Sequence, residues 1–569
     1  MRRSLLKAAV VAVLLCAVVC SCASQPVPAP TNAGEHHCGF DELEEETIAT
    51  RVSRVSRTAN TDGKLSVATA ASTAWRPLRI VVFANDVANR SRHCTRSGEL
   101  RPNFRGGNLT CESADVLTRS KMHTLLGLLV PLAMRLHQER LSVQRESGNL
   151  VVDASIKQDP VCGLFSIPDA HVSTGVVDAD FVLYLSAGPT SGGGVAWATR
   201  CQHFANGRPS VGVLNVAPRY ISADPQTMRF VAHEILHALG FSFRYFEAQS
   251  MVATVSGMRG KPPVIALKSP LVVARAAAHF GCNTQAFMEL EDMGGNGTVR
   301  SHWKRRSMKD DLMAGLAGAG VYSAITIAAM EDTGFYKGNY SMAEPMGYGR
   351  NAGCELRTRK CIVDGVSQFP DMFCTSTAQN LMCASDRLGV GVCAMWTYPS
   401  PLPAVYQYFA NSSVGGFSAQ MDYCPYVQAY NTMNCTYDTN SLRGSVFGVM
   451  SRCLDTPAGV AVDGKPYEQY GLCAEIECAA ATYAVKVSGA SRFTPCTPGT
   501  NLTLASLSRV FSGGYIGCPS YDSVCGMRVD AAQYKRYGAA LADGTAAGPP
   551  ACMTAALTMA AAALVFLMW

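Results

Sequence analysis

The stretch Asp224-Pro225-Gln226-Thr227-Met228-Arg229-Phe230-Val231-Ala232-His233-Glu234-Ile235-Leu236-His237-Ala238-Leu239-Gly240 decides how the rest of the chain is read. Asp224 is a capping residue, and Pro225 suits a first helical turn, where its missing N–H costs nothing. Gly240 can end the helix in a left-handed conformation. Phe230, Val231, Leu236 and Leu239 bury part of its surface. His233 and His237 stand four apart, so both imidazoles leave one face at neighbouring heights. That spacing suits two ligands of one tetrahedral Zn²⁺. Glu234 sits beside the first ligand, where its carboxylate reaches a metal-held water rather than the metal. Zinc lowers the pKa of such a water to about 7, a nearby carboxylate takes its proton, and attack on a carbonyl carbon follows. Peptide hydrolysis is the natural reaction class. A chance His-Glu-x-x-His in a chain of this length has odds of roughly one in a hundred.

A third protein ligand is required. In the compact metzincin pattern a histidine falls three residues after the glycine, but Phe243 holds that position. Downstream stand only His279 and His302. His279 precedes Phe280-Gly281-Cys282 and reads as a helix-end or packing residue. His302 lies in Gly294-Gly295-Asn296-Gly297-Thr298-Val299-Arg300-Ser301-His302-Trp303, a glycine-rich segment able to bring a side chain up to a metal. Asp311-Leu312-Met313-Ala314-Gly315 follows. Met313 could form an apolar floor under the metal, although a methionine in Leu-Met-Ala is more often plain core.

Outward from this helix, Trp75–Phe83 reads as a single β-rich run opening a sheet. Met122–Gln138 has apolar residues at helical spacing. Phe181–Leu185 and Val211–Val216 are strand candidates, with Gly192–Ala198 between them as a glycine-hinged extended segment. Alternating helices and strands make the part before residue 240 an α/β or α+β unit. Residues 25–73 are polar, with an acidic run Asp41–Glu46, and read as a pro-segment.

The chain has 569 residues, 48% hydrophobic and 16% charged, which argues against disorder. Long apolar runs occur only at the ends, which argues against a polytopic membrane protein. The formal charge of +6 is too weak at this length to point to nucleic acid. Arg2, Arg3 and Lys7, the apolar Ala8–Val19 and the small residues after it form a secretory signal layout. Its core is too short for a spanning anchor. Ala551–Trp569 is an apolar, alanine-rich tail, and small residues around Asp543 and Gly544 precede it. Together these read as a GPI-attachment signal, with Asp543 or Gly544 as the attachment residue. Of 23 cysteines, Cys16, Cys20, Cys22, Cys38 and Cys552 fall in these leader and tail segments. The remaining eighteen predict up to nine disulfides, concentrated after residue 350. Seven sequons, at Asn89, Asn108, Asn296, Asn339, Asn411, Asn434 and Asn501, permit glycosylation and predict surface positions.

Taken together, His233-Glu234-Ile235-Leu236-His237-Ala238-Leu239-Gly240-Phe241-Ser242, a long insertion, Ser301-His302-Trp303 and Asp310-Asp311-Leu312-Met313-Ala314 resemble the leishmanolysin family of GPI-anchored surface zinc proteases. The resemblance continues through Asn351–Cys354, Met421–Pro425, Gly471–Ala474 and Gly544–Gly548. It implies one Zn²⁺ per chain on His233, His237 and His302, with Glu234 as catalytic base and Met313 as the Met-turn residue. It implies an α+β fold: a metzincin-like catalytic subdomain (74–242) with a mixed twisted sheet, a mainly helical central subdomain (243–358) and a disulfide-rich, mostly β and loop C-terminal domain (359–543). Segments 1–24, 25–73 and 544–569 are then the signal peptide, the pro-segment and the GPI signal. An edge strand near Gly194–Ala198 would pair with extended peptide substrate. The family's pro-segment element His-x-Cys-x-x-Asp is matched by His36, Cys38 and Asp41, which makes Cys38 a thiolate latch on the metal of a zymogen. Partners would be protein or peptide substrates and host extracellular proteins, at the cell surface or in a secreted form. The competing reading is a catalytically silent surface adhesion glycoprotein. Retention of His233, Glu234, His237 and His302 together favours the enzyme.

Overall fold

The computed structural model describes residues 54–55 and 74–542, apart from positions 192, 296, 297, 316, 317, 377, 379, 438–441 and 528. Cys38, Asn296, Asp543 and Gly544 lie outside the described residues, as do the signal-like and tail segments. Among the described residues no helix is long and apolar enough to cross a membrane.

A four-stranded sheet carries the site. Its strands are β1 (Ile80–Phe83), β2 (Phe181–Ser186), β3 (Ala196–His203) and β4 (Pro209–Val216), in spatial order β1-β2-β4-β3. The first three neighbours run parallel, and β3 runs antiparallel along the edge. Every residue of β2 and β4 is buried, which a parallel pair needs when both faces are covered. Alternation divides the two faces. Phe181, Leu183, Leu185, Leu214 and Val216 join the large core beneath the helices, whereas Val182, Tyr184, Val211 and Val213 pack with Phe104, Phe165 and Trp197 on the other face.

Two helices lie on the first face. α1 (Val130–Arg140) continues two earlier helical segments, Arg119–Thr124 and the wider π turn Leu125–Leu129. The helical run is therefore longer than the 122–138 predicted. Pro131 accounts for the wide turn: its ring would clash with the carbonyl four residues back, and an i→i+5 turn relieves the crowding. α2 (Pro225–Ala238) is the predicted histidine helix. Gly212 of β4 lets its end approach closely, because a Cβ there would sit 3.2 Å from that of Ala238 and 2.8 Å from the Phe181 ring.

Two strand boundaries differ from expectation. The run 75–83 is two strands in different sheets: Trp75–Pro77 pairs with Leu141–Gln144, whereas β1 pairs with β2. Pro77 offers no N–H, and the Arg79 N–H donates to the Asp180 carboxylate (2.9 Å) rather than to a strand. The glycine-hinged segment becomes strand only from Ala196 and extends to His203, so the edge lies further along the chain than Gly194–Ala198.

Beyond α2, residues 243–358 carry α3 (Pro270–Phe280), α4 (Ala324–Asp332) and a small sheet of Val252–Val255, Val264–Leu267 and Met288–Glu289. Residues after 359 are mostly strand and loop, with a seven-stranded sheet built around Gln469–Cys478. All eighteen predicted half-cystines are paired. Six of the nine disulfides lie wholly beyond residue 360: Cys361–Cys424, Cys374–Cys393, Cys383–Cys453, Cys435–Cys473, Cys478–Cys525 and Cys496–Cys518. The others are Cys94–Cys111, Cys162–Cys201 and Cys282–Cys354. The mixed helix and strand content makes the fold α+β with a disulfide-rich C-terminal region. Of the sequon asparagines, Asn89, Asn108, Asn339, Asn411 and Asn501 are exposed; Asn434 is half-buried.

Candidate active site

The Asp224 carboxylate accepts the Thr227 N–H (2.8 Å) and hydroxyl (2.8 Å), capping α2 as its sequence predicts. Gly240 takes a positive φ of 113° just beyond the helix. Val231, Leu236 and Leu239 are buried, and Phe230 is only partly so. His233 and His237 are buried on the inward face, and Glu234 beside them is 4% exposed.

His302 arrives from a loop held by backbone pairing on both sides. The Glu291 N–H donates to the His302 carbonyl (2.8 Å), and the Trp303 N–H donates to the Met313 carbonyl (2.9 Å). The three Nε2 atoms of His233, His237 and His302 then form a triangle with every edge 3.1 Å. Each ring's other nitrogen faces a carbonyl: Nδ1 of His233 donates to Leu312 (2.6 Å), that of His237 to Phe241 (2.8 Å) and that of His302 to Thr298 (3.0 Å). A carbonyl can only accept, so each proton sits on Nδ1 and each Nε2 presents a lone pair to the other two. Burial holds His233 neutral, with its pKa down to about 4. Burial, and then the neighbouring rings, push His237 and His302 well below the usual histidine range. Three buried lone pairs converging at this spacing repel one another unless a cation lies between them. The donor set fits a soft-to-borderline divalent ion such as Zn²⁺, whose imidazole bonds are about 2.0–2.1 Å. Among the described residues this is the one group of three or more histidine, cysteine or acidic side chains close enough to hold an ion.

His279 does not join the triangle. It stands at the end of α3, its Nε2 3.0 Å from the Tyr348 carbonyl, as the helix-end reading anticipated. Met313 is fully buried, in the segment whose Leu312 carbonyl orients His233.

Several supporting groups were not legible beforehand. Asp311 accepts the Met313 N–H (2.7 Å) and the Thr326 hydroxyl (2.7 Å), and the Trp303 indole donates to that same hydroxyl oxygen (2.8 Å). An aspartate two residues before the methionine is a sequence signal for such a turn. The His302 loop is braced by buried charge. Lys304 pairs with Glu291 (2.8 Å), Asp292 (2.6 Å) and Asp422 (2.9 Å), while Lys261 (2.9 Å) and Arg259 (3.1 Å) share Asp422. Those cations outweigh the burial of Asp422 and hold its carboxyl far below the usual carboxylate range. α2 is pinned in turn. Arg229 makes a bidentate pair with Glu344 (2.6 and 2.7 Å), and His137 Nε2 donates to the Ala232 carbonyl (2.9 Å).

The family model for leishmanolysin matches residues 29–531. The chain is 40% identical over 495 residues to leishmanolysin of Leishmania major, covering 85% of this chain and 82% of that one. A leishmanolysin homolog of Crithidia fasciculata is 39% identical, over 81% and 72% of the two chains. A leishmanolysin-like peptidase of Drosophila melanogaster is 27% identical, over 75% and 80%. With the histidine triangle and a family match across most of its length, the chain belongs to the leishmanolysin family of metallopeptidases.

Proposed function

We propose that the chain is a zinc-dependent endopeptidase in which Glu234 is the general base, made as a zymogen and carried to the cell surface. The observation that carries this reading is the triangle of Nε2 atoms, each aimed inward by an Nδ1–carbonyl bond. His233, His237 and His302 would hold the metal. Zn²⁺ bound there supplies Lewis acidity, acidifying a water and polarising a scissile carbonyl. Glu234, one residue from His233 and almost wholly buried, takes a proton from the attacking water and returns it to the departing amine. β3, an edge strand antiparallel to β4, is the strand along which an extended peptide would pair in the processed enzyme.

The finer parts of the reading rest on sequence. Residues 1–24 direct secretion, and residues 25–73 form a pro-segment whose Cys38 thiolate is the latch. Asp543 or Gly544 receives a GPI lipid when the terminal tail is removed. Nine disulfides and exposed sequon asparagines suit an extracellular glycoprotein. The division at residues 242 and 358 into catalytic, central and C-terminal parts belongs to the same reading.

The test is Glu234→Ala in the secreted chain. Zinc content and secretion stay at the parent level, while peptide cleavage drops at least about 100-fold, the usual scale for loss of a general base. Cleavage persisting at the parent rate removes Glu234 from that role.

A further inference from the structure

Two residues of the leader region are described, and they are docked on the protein. Arg54–Val55 pairs antiparallel with Leu150–Val151, in the register Arg54↔Val151 and Val55↔Leu150. The geometry around Leu150 explains which flank they occupy. The Leu150 N–H donates to the Val176 carbonyl (2.9 Å), and its carbonyl accepts the Val176 N–H (2.8 Å). Both polar groups of Leu150 are therefore spent on one side. Alternation along an extended chain turns those of Val151 to the other side. Arg54 and Val151 therefore form the hydrogen-bonded pair of this short ladder.

The receiving flank is built into the body of the protein. The Gln202 side chain on β3 donates to the Val151 carbonyl (3.3 Å) and accepts the Asp153 N–H (3.0 Å). Its neighbour Cys201 is bonded to Cys162. Leu150 and Val176 belong to the core on that face of the sheet. The flank is thus a preformed strand edge, and such edges accept another extended segment through backbone hydrogen bonds. The next described strand, Trp75–Pro77, pairs elsewhere, with Leu141–Gln144. A cut near residue 73 would leave Arg54–Val55 attached by non-covalent pairing.

We propose that Leu150–Val151 is a strand-addition site for the chain's own leader segment at Arg54–Val55. It keeps the leader seated on the protein independently of the Cys38 latch, both before and after the chain is cut. The inference rests on reading residues 25–73 as a pro-segment. Because strand pairing runs through backbone groups, the residue 54 N–H is what the proposal requires.

The test uses the full secreted chain with Cys38→Ser, which takes the latch out of play. Arg54→Pro removes the N–H that reaches Val151; Arg54→Ala keeps it. Hydrogen exchange at the Val151 amide is expected to be at least about fivefold faster in Arg54→Pro than in the parent, from loss of one backbone bond, and unchanged in Arg54→Ala. With a site for a sequence-specific protease inserted between residues 60 and 70, the severed leader should co-elute with the body in the parent and in Arg54→Ala, and separate in Arg54→Pro. Equal Val151 exchange in all three chains would overturn the proposal, as would immediate separation of the severed parent leader. Neither measurement reads peptidase activity, so a failure of the zinc-peptidase reading leaves both outcomes intact.

Discussion

The Nδ1 of His233 donates to the carbonyl of Leu312 at 2.6 Å, so one imidazole of the histidine triangle takes its aim from the residue just before Met313. Met313 is fully buried. Truncating it to alanine leaves a cavity costing about 2–4 kcal/mol and loosens the turn that presents that carbonyl. Met313→Ala should melt earlier and bind zinc more weakly than the parent. Met313→Leu, close in volume, should cost less than about 1.5 kcal/mol. Thermal unfolding and competitive zinc titration of both variants check this.

His302→Ala should empty the metal site, because two imidazoles on one helical turn make an incomplete sphere. His279→Ala should leave metal content unchanged and lose only its bond to the Tyr348 carbonyl. Metal analysis of the purified proteins decides between the two, and the opposite result would reassign the third ligand.

Asp422 is the shared anion for Lys304, Lys261 and Arg259, all buried. Asp422→Ala removes the one anion shared by all three, leaving Lys304 with Glu291 and Asp292, Lys261 with Asp292, and Arg259 with Glu289; breaking buried pairs in this way costs about 3–5 kcal/mol. Denaturant unfolding should register that loss, and zinc affinity should fall with it through the His302 loop. The carboxyl is held well below its ordinary range, so its contribution is complete above about pH 4, the unfolded value, and is lost only in stronger acid.

Two buried groups set stability slopes of opposite sign. Burial lowers His137 from 6.5 to about 3. The unfolded chain therefore binds the extra proton first, and stability falls as pH drops below about 6.5, by about 1.4 kcal/mol per pH unit. Burial raises Asp311 to about 6, against hydrogen bonds from Ser323, the Met313 amide and Thr326 that lower it. Here the folded chain holds the proton longer, so stability falls as pH rises from about 4 to 6. The two slopes oppose each other between pH 4 and 6. Asp311→Asn, which keeps an acceptor for Met313 and Thr326, should unmask the steeper histidine slope in denaturant titrations across that window.

The histidine helix was legible because its information is local: cap, proline, apolar stripe and i,i+4 spacing all lie within α2. The third proposed ligand was not fixed by spacing, since His279 and His302 both lay downstream; the glycine-rich segment around His302, the helix-end context of His279 and then the family resemblance favoured His302. The carbonyls of Leu312, Phe241 and Thr298 that aim the rings were invisible, because any residue supplies a carbonyl. The run Lys304-Arg305-Arg306 has the composition of a solvated face, yet all three side chains are buried. Lys304 pairs with Asp422, Arg305 donates to the Ser418 and Tyr426 hydroxyls, and Arg306 donates to the Leu356 and Arg359 carbonyls, all far along the chain, so no local window carries these contacts. The strand break after Pro77 depended on Asp180, about a hundred residues away, taking the Arg79 amide.

That Asp422 and Lys304 share one buried ion cluster bears on how the protein can be manufactured. A minimal fragment ending soon after Met313 would carry every residue named in the proposed chemistry and still lack Asp422, one of the anions that neutralise the support of His302. Any reagent for inhibitor screening, or any immunogen meant to display the intact cleft, has to include the cysteine-rich half of the chain.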